Sequence, residues 1–409
     1  MLDWANQFSI CCFLDDNQYR LREHSFECLL AVNAQSVLHT TQGKVFEQLQ
    51  AFIDKSNDWC FGHLGYDLKN EIETLQSDNA DPVKFDDIFF FVPEIVLILR
   101  SNELLIGVKG LEHASVARAV FDSLPAIPSM PLQIEIKSRF SRNAYINTVH
   151  ELQQHILRGN CYEINFCQEF YNDHAVINPL QVYMALSKES PNPFSCYYKL
   201  EDKYLLCASP ERYLRKKGNR LISQPIKGTI RRNNKRAEAD AFNRETLQHS
   251  SKERSENIMI VDLVRNDLAK VCIEGSVKVD ELMGIYAFPQ VYQMISTISG
   301  EVAHTVPVTD IVKATFPMGS MTGAPKKRVM ELIEQYEQTK RGLFSGAVGY
   351  ISPVQDMDFN VVIRSILYNA SNRYLSFQTG SAITYYSRAE DEYEECLLKA
   401  EAIKKVLNG

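Results

Sequence analysis

Five runs rich in β-branched and aromatic residues, 271–279, 291–299, 344–351, 359–368 and 374–383, crowd the last third of the chain and constrain its fold most. Side chains of that kind suit a pleated, half-buried surface. A shorter strand-like run covers 161–170. Helical spacing appears between these runs. Ile146, Val149, Leu152 and Ile156 share one face of a helix predicted over 145–158, and further helices are predicted over 237–263, 325–336 and 388–407. The strands come singly and in hairpin-like pairs with helices interspersed irregularly, which fits an α+β fold better than a regular βαβ repeat. No period of about 20 to 50 residues recurs, so a solenoid or propeller is not expected.

Composition closes off several classes of function. Of 409 residues 45% are hydrophobic and 23% charged, which is too apolar for a disordered chain. The balance of 44 Lys+Arg against 51 Asp+Glu gives a net charge of -7, the wrong sign for a nucleic-acid binder. The basic run 231–236 has no interleaved aromatics for base stacking and reads as a solvated loop. The most apolar stretch, 88–99, is about half the length a bilayer requires and contains Pro93 and Glu94, so no membrane partner is expected. The N-terminus lacks a basic n-region and an apolar h-region, and a cytoplasmic protein is expected. Ten cysteines form no Cys-x-x-Cys pair and read as reduced, buried small hydrophobes. Length alone suggests two or three units, and three prolines within 124–131 separate an N-terminal portion, 1–124, from the rest.

Candidate chemistry follows from what is scarce. Beyond position 205 the histidines are His249 and His304 alone, so a Ser/His/Asp triad or a histidine metal site is hard to assemble there. Carboxylates and lysines remain. Glu253 with Glu256, and Glu392 with Glu395, have the spacing that shares a helix face. Each pair reads either as a solvated face or, if the two helices converge, as a carboxylate set needing a hard cation such as Mg²⁺. Lys227, in Pro225-Ile226-Lys227-Gly228-Thr229, lies in a segment that otherwise reads as buried. It is either a strand lysine that snorkels to solvent or a desolvated amine with a lowered pKa, free to act as a nucleophile. Arg364, embedded in 361–367, needs an anionic partner, either a structural carboxylate or a substrate carboxylate. The segment 319–326 lacks phosphate-loop spacing, and Pro325 instead marks a helix start with Val329, Met330, Leu332, Ile333 and Tyr336 as its buried stripe.

Taken together, Ser209-Pro210-Glu211-Arg212, the lysine pentapeptide, the run 256–267, Gly323-Ala324-Pro325-Lys326, Gly346-Ala347-Val348-Gly349-Tyr350 and Ile363-Arg364-Ser365 resemble the chorismate-utilising enzymes over about residues 145–407. The resemblance implies one interleaved α+β body, a two-sheet β-sandwich flanked by helices like that of anthranilate synthase component I. Residues 1–124 would supply its N-terminal portion and 140–409 the chorismate-binding catalytic region. It further implies Mg²⁺ beside the ring carboxylate of chorismate, with Glu256 and Glu395 as ligands and Glu253 and Glu392 in support. Arg364 and Tyr350 would hold the enolpyruvyl carboxylate, and Gly228, Thr229, Ser320, Lys399 and the Gly380-Ser381-Ala382 backbone would complete the pocket.

Within that family the chain is most similar to the aminodeoxychorismate synthase type, because lysine stands at 227 where anthranilate synthases typically carry alanine. The resemblance implies that Lys227 adds at C2 of chorismate while Glu211 protonates the departing C4 hydroxyl. Ammonia from a separate glutamine amidotransferase subunit then adds at C4 and expels the lysine. Glu163 departs from the family, where water-using members place lysine and ammonia-using members usually glutamine; its charge is expected to favour ammonium. Gln293 stands where a histidine tied to pyruvate elimination is usual, which favours stopping at the amino-chorismate stage. Ala382 replaces a glycine, and its methyl is expected to crowd the substrate loop. Leu29-Leu30 is followed by Ala31-Val32, so no tryptophan inhibition is expected. The alternatives are an anthranilate synthase component I and a catalytically silent subunit that regulates an amidotransferase.

Overall fold

The computed structural model describes all residues except 20–22, 24–25, 41–42 and 125–132. The proline-rich break therefore lies almost wholly outside the described residues. Among the described residues nineteen strands are joined by hydrogen-bonded ladders into one network, with helices packed against it. The predicted α+β class is what the chain adopts.

Strands from the first hundred residues are stitched directly to strands from the second half. Ile10–Asp15 pairs antiparallel with both Cys28–Thr40 and Phe194–Leu200, and Cys60–Leu64 pairs with Ala347–Ile351. Because side chains alternate faces along a strand, neighbouring residues of the central strands feed different cores. Cys12, Tyr198, Leu205 and Cys207 enter a core closed by the Ser251–Ala269 helix. Phe13, Tyr197, Leu206 and Ala208 enter a second core, closed by the Arg142–Leu157, Lys326–Tyr336 and Ala389–Asn408 helices. A sheet buried on both faces explains why its strands read as continuous apolar runs. Among the described residues no helix is long and apolar enough to cross a membrane.

Three predicted boundaries change. The helix expected over 237–263 is two helices, Ala237–His249 and Ser251–Ala269, broken at Ser250, whose hydroxyl caps the second by accepting from the Glu253 amide at 3.3 Å. The strand expected over 359–368 divides into Met357–Asn360 and Ser365–Asn369 around Arg364, which sits in the left-handed region at φ 53°. The strand expected over 271–279 forms later, at Lys278–Ala287.

Candidate active site

A β-bulge aims the central lysine. The strand Ile226–Arg231 pairs with Val291–Glu301 so that Ile226 faces Ile295 and Thr229 faces Gln293, leaving one extra residue on the first strand at Lys227-Gly228. Bulges of this kind bend a strand and redirect a side chain. Gly228 makes it feasible: its φ is +95°, and a Cβ there would lie 3.0 Å from Glu253 Oε2. The turned-in Lys227 ammonium donates to Glu163 Oε1 at 2.8 Å.

Glu163 begins the strand Glu163–Asn172. Its neighbours lock that strand to the loop carrying Ser320. The amide of Asn165 donates to the Thr322 carbonyl at 2.8 Å, its side-chain amide donates to the Ser320 carbonyl at 2.9 Å, and Gly323 pairs with Ile164. Gly323 is required there, since a Cβ would fall 2.1 Å from the Glu163 carbonyl oxygen. Behind the strand Arg341 is 2% exposed and donates to Glu337, to the Met321 carbonyl at 2.6 Å and to the Asn165 carbonyl at 2.8 Å.

These elements enclose a cleft of about 1170 Å³. Glu211, Lys227, Gly228, Thr229, Glu253, Glu256, Gln293, Ser320, Arg364, Gly380, Ala382, Glu395 and Lys399 all line it, as the motifs led us to expect. Glu163 stands behind Lys227, and Glu392 lies beneath Glu395 at 1% exposure. Ser381 is turned away by strand alternation, its hydroxyl 3.4 Å from that of Tyr145, while Gly380 and Ala382 on either side face the cleft. Lys399 donates to the Gly380 carbonyl and to Glu395 Oε1, both at 2.8 Å.

Two expectations are corrected. Tyr350 is not in the cleft. It lies in the strand Ala347–Ile351 opposite Phe61 and packs with Phe26 and Trp59 at ring separations of 5.5 Å. Phe344, six positions earlier and ahead of the strand, does line the cleft, as Arg364 does. Lys227 is also not a depressed lysine: burial pulls its pKa down, but Glu163, Glu256 and Glu211 together raise it above the ordinary value, so it rests as an ammonium.

The basic run read as a solvated loop is half-buried to exposed, and from 232 to 236 it forms neither helix nor strand. Arg231 pairs with Glu401 and Arg232 with Asp240 at the rim of the cleft.

The electrostatics sort the carboxyls. Burial pushes Glu211 up to about 7, against a 2.6 Å hydrogen bond from the Ser320 hydroxyl and the nearby Lys227. Glu211 can therefore carry a proton near neutral pH, as a general acid must. Burial pushes Glu256 up to about 8, with Glu163 and Glu253 adding to it. Glu395 moves the other way: despite burial, Lys399, Lys252 and Lys227 hold it down at about 2. The Arg364 guanidinium has no hydrogen bond or ion pair among the described residues, and burial lowers its pKa. A buried guanidinium with nothing to bind is a receptor for an anionic group.

Lys252 was not singled out by motif reading, although it precedes Glu253 and is spaced i, i+4 from Glu256. Its ammonium lies 2.9 Å from Glu392, 3.5 Å from Glu395 and 4.0 Å from Glu256. Among the described residues no three carboxylates are close enough to hold a metal ion as they stand. The donor set nonetheless suits a hard cation. It is all carboxylate, it already converges on one positive charge, and Glu256 Oε1 and Glu392 Oε2 are buried without a hydrogen-bond partner.

A fold that pairs N-terminal strands with C-terminal ones in this way has counterparts among solved structures. The sequence pattern of the chorismate binding enzymes matches residues 10–405, and the chain belongs to that family. It is similar to aminodeoxychorismate synthase component 1 of Bacillus subtilis (strain 168), with 32% identity over 363 residues that cover 85% of this chain and 76% of that protein. It is also similar to anthranilate synthase component 1 of Aquifex aeolicus, with 30% identity over 366 residues that cover 85% and 73%. Its structure resembles that of anthranilate synthase component I from Streptococcus pneumoniae TIGR4, with a TM-score of 0.82, 25% identity and 94% of each chain covered.

Proposed function

We propose that this chain is an aminodeoxychorismate synthase component I, which converts chorismate and ammonia to 4-amino-4-deoxychorismate. The observation that carries the reading is Lys227, brought into the cleft by a bulge, with the protonatable Glu211 lining the same cleft. Lys227 adds at C2 as the C4 hydroxyl departs with the proton of Glu211. Ammonia then adds at C4 and the lysine leaves, so two allylic displacements place nitrogen at C4. Arg364 and Lys399 orient the carboxylates of the substrate, which turns the attack into an effectively intramolecular event. The naming of the similar B. subtilis protein as a component 1 supports a separate glutamine amidotransferase partner as the ammonia source.

Glu256 and Glu395 would hold Mg²⁺, with Glu253 and Glu392 behind them. The ion would neutralise the substrate's ring carboxylate and stabilise developing charge.

The decisive assay mixes chorismate, Mg²⁺ and ammonium and identifies the product by chromatography and fluorescence. The expected product is 4-amino-4-deoxychorismate. Anthranilate as the main product would give the chain to its runner-up reading, which its similarity to the A. aeolicus protein favours.

The metal has a readout apart from turnover. Glu211 and Glu256 have folded-state values near 7 and 8 against an ordinary 4.5. Between about pH 4.5 and 8 the folded state binds more protons than the unfolded chain, so metal-free stability falls as pH rises through that window. The Glu256 share is on the order of a few kcal/mol. Mg²⁺ is expected to raise the melting temperature at pH 8 far more than at pH 5, and Glu256→Gln to shrink both the pH slope and the Mg²⁺ effect. A melting temperature indifferent to Mg²⁺ at pH 8 would remove the metal from this site.

A further inference from the structure

The function proposed above requires Lys227 as a free amine, yet its Nζ is ion-paired with the buried Glu163 at 2.8 Å, and an amine paired in that way carries a proton that must go somewhere. We propose that Glu163 is its acceptor, so that Glu163 and Lys227 form a catalytic proton-transfer dyad. This rests on the aminodeoxychorismate synthase reading and adds a residue to it.

Several carboxylates face Lys227, and geometry singles out one. Glu163 Oε1 is the only carboxylate oxygen paired with Lys227 Nζ among the described residues, at 2.8 Å. Glu211, at the turn before the strand Arg212–Lys217, hydrogen-bonds Ser320 and must keep its own proton for the departing hydroxyl. Glu253 and Glu256 of the Ser251–Ala269 helix and Glu395 of the C-terminal helix also feel the Lys227 charge, but they gather around Lys252 and Lys399. The Arg364 guanidinium, which also lines the cleft, has no ion pair among the described residues and so draws none of these carboxylates away.

Glu163 is also built to receive a proton. It is 1% exposed, and its second oxygen, Oε2, is buried with no hydrogen-bond partner. Among the described residues Lys227 is the one side chain that donates to it. Losing the Lys227 proton to solvent would leave the buried carboxylate uncompensated, whereas moving it from Nζ to Glu163 leaves a neutral pair.

The protons balance. Lys227 gives one proton to Glu163, and its nitrogen lone pair forms the bond to C2. The C4–O bond breaks, and the oxygen leaves as water with the proton of Glu211. Ammonia attacks C4, the C2–N bond breaks with its electron pair returning to Lys227, and Glu163 returns its proton to the amine. The new C4 ammonium reprotonates Glu211.

Formation of the covalent adduct tests this: chorismate and Mg²⁺ are added without ammonia, and the adduct is timed by intact-protein mass spectrometry from pH 6.5 to 8.5. Glu163→Gln keeps a hydrogen-bond acceptor for Lys227 but cannot take its proton, and Glu163→Asp keeps the carboxylate. The ratio of wild-type to variant rates cancels the titration of Glu211. For Glu163→Gln it is expected to be at least about tenfold at pH 7 and to shrink as pH rises, because bulk base then removes the proton. For Glu163→Asp it is expected to be flat with pH. A Glu163→Gln ratio near one, or one that is large but independent of pH, makes Glu163 a positioning group and overturns the dyad alone. If Glu163→Gln fails to fold, a Glu163→Asp ratio that changes with pH overturns the dyad as well. Absence of any adduct in the wild type overturns the dyad together with the covalent mechanism.

Discussion

Replacing Lys227 with alanine is expected to lower ammonium-dependent loss of chorismate by about a thousandfold, a barrier increase of about 4 kcal/mol, and to abolish any covalent adduct. The substitution removes the only group in the cleft that pairs with Glu163, and the bulge that carries it exists through Gly228 rather than through the lysine. The backbone is therefore expected to survive, and the loss to appear in turnover more than in substrate binding. Chorismate consumption followed by absorbance, with adduct mass measured in parallel, checks it. Unchanged consumption would sink the covalent role of Lys227.

The largest expected effect on stability lies outside the cleft. Arg341→Met should destabilise the protein by about 3 to 5 kcal/mol, because it breaks a buried ion pair from one side. Arg341 and Glu337 are 2% and 5% exposed, and burial already pushes the Glu337 carboxyl up despite the guanidinium beside it. Without Arg341 the Met321 and Asn165 carbonyls lose their donor, and the loop carrying Ser320 loses its tie to the strand carrying Glu163. Denaturant unfolding of Arg341→Met, and of a double variant with Glu337→Leu that removes the stranded charge, measures this. The double variant should regain most of the loss. A single variant within about 0.5 kcal/mol of wild type would contradict the role assigned to the pair.

Much of the cleft was legible because its chemistry is carried by contiguous motifs. Glu211, Lys227, Glu253, Glu256, Arg364 and Glu395 each stand in a short segment whose residue types already limit what the side chain can do, and all line one cleft. Tyr350 was misplaced because a motif identifies a segment and not the face its residues occupy. Strand alternation sends Tyr350 to the Phe26 and Trp59 cluster, while Phe344 reaches the site from the turn before the strand. The same alternation turns the Ser381 hydroxyl away from the cleft, toward Tyr145. Lys252 and Arg341 were missed because neither is unusual in sequence, and each gains its role from carboxylates or carbonyls contributed by another segment.

The sequence by itself determined the α+β class, the family and most of the residues around the cleft, since hydrophobic period and local residue type act over a few positions. Only the tertiary structure decided the charge state of the central lysine. Its pKa depends on Glu163, Glu211 and Glu256, which lie 64, 16 and 29 positions away in the chain and meet it only when the bulged strand, the Ser320 loop and the Ser251–Ala269 helix close on one another. Burial alone would have freed the amine. The Glu163 carboxylate 2.8 Å away counters that, with Glu256 and Glu211 adding to it when they are ionised, because attraction at so short a separation outweighs the cost of desolvating one ammonium.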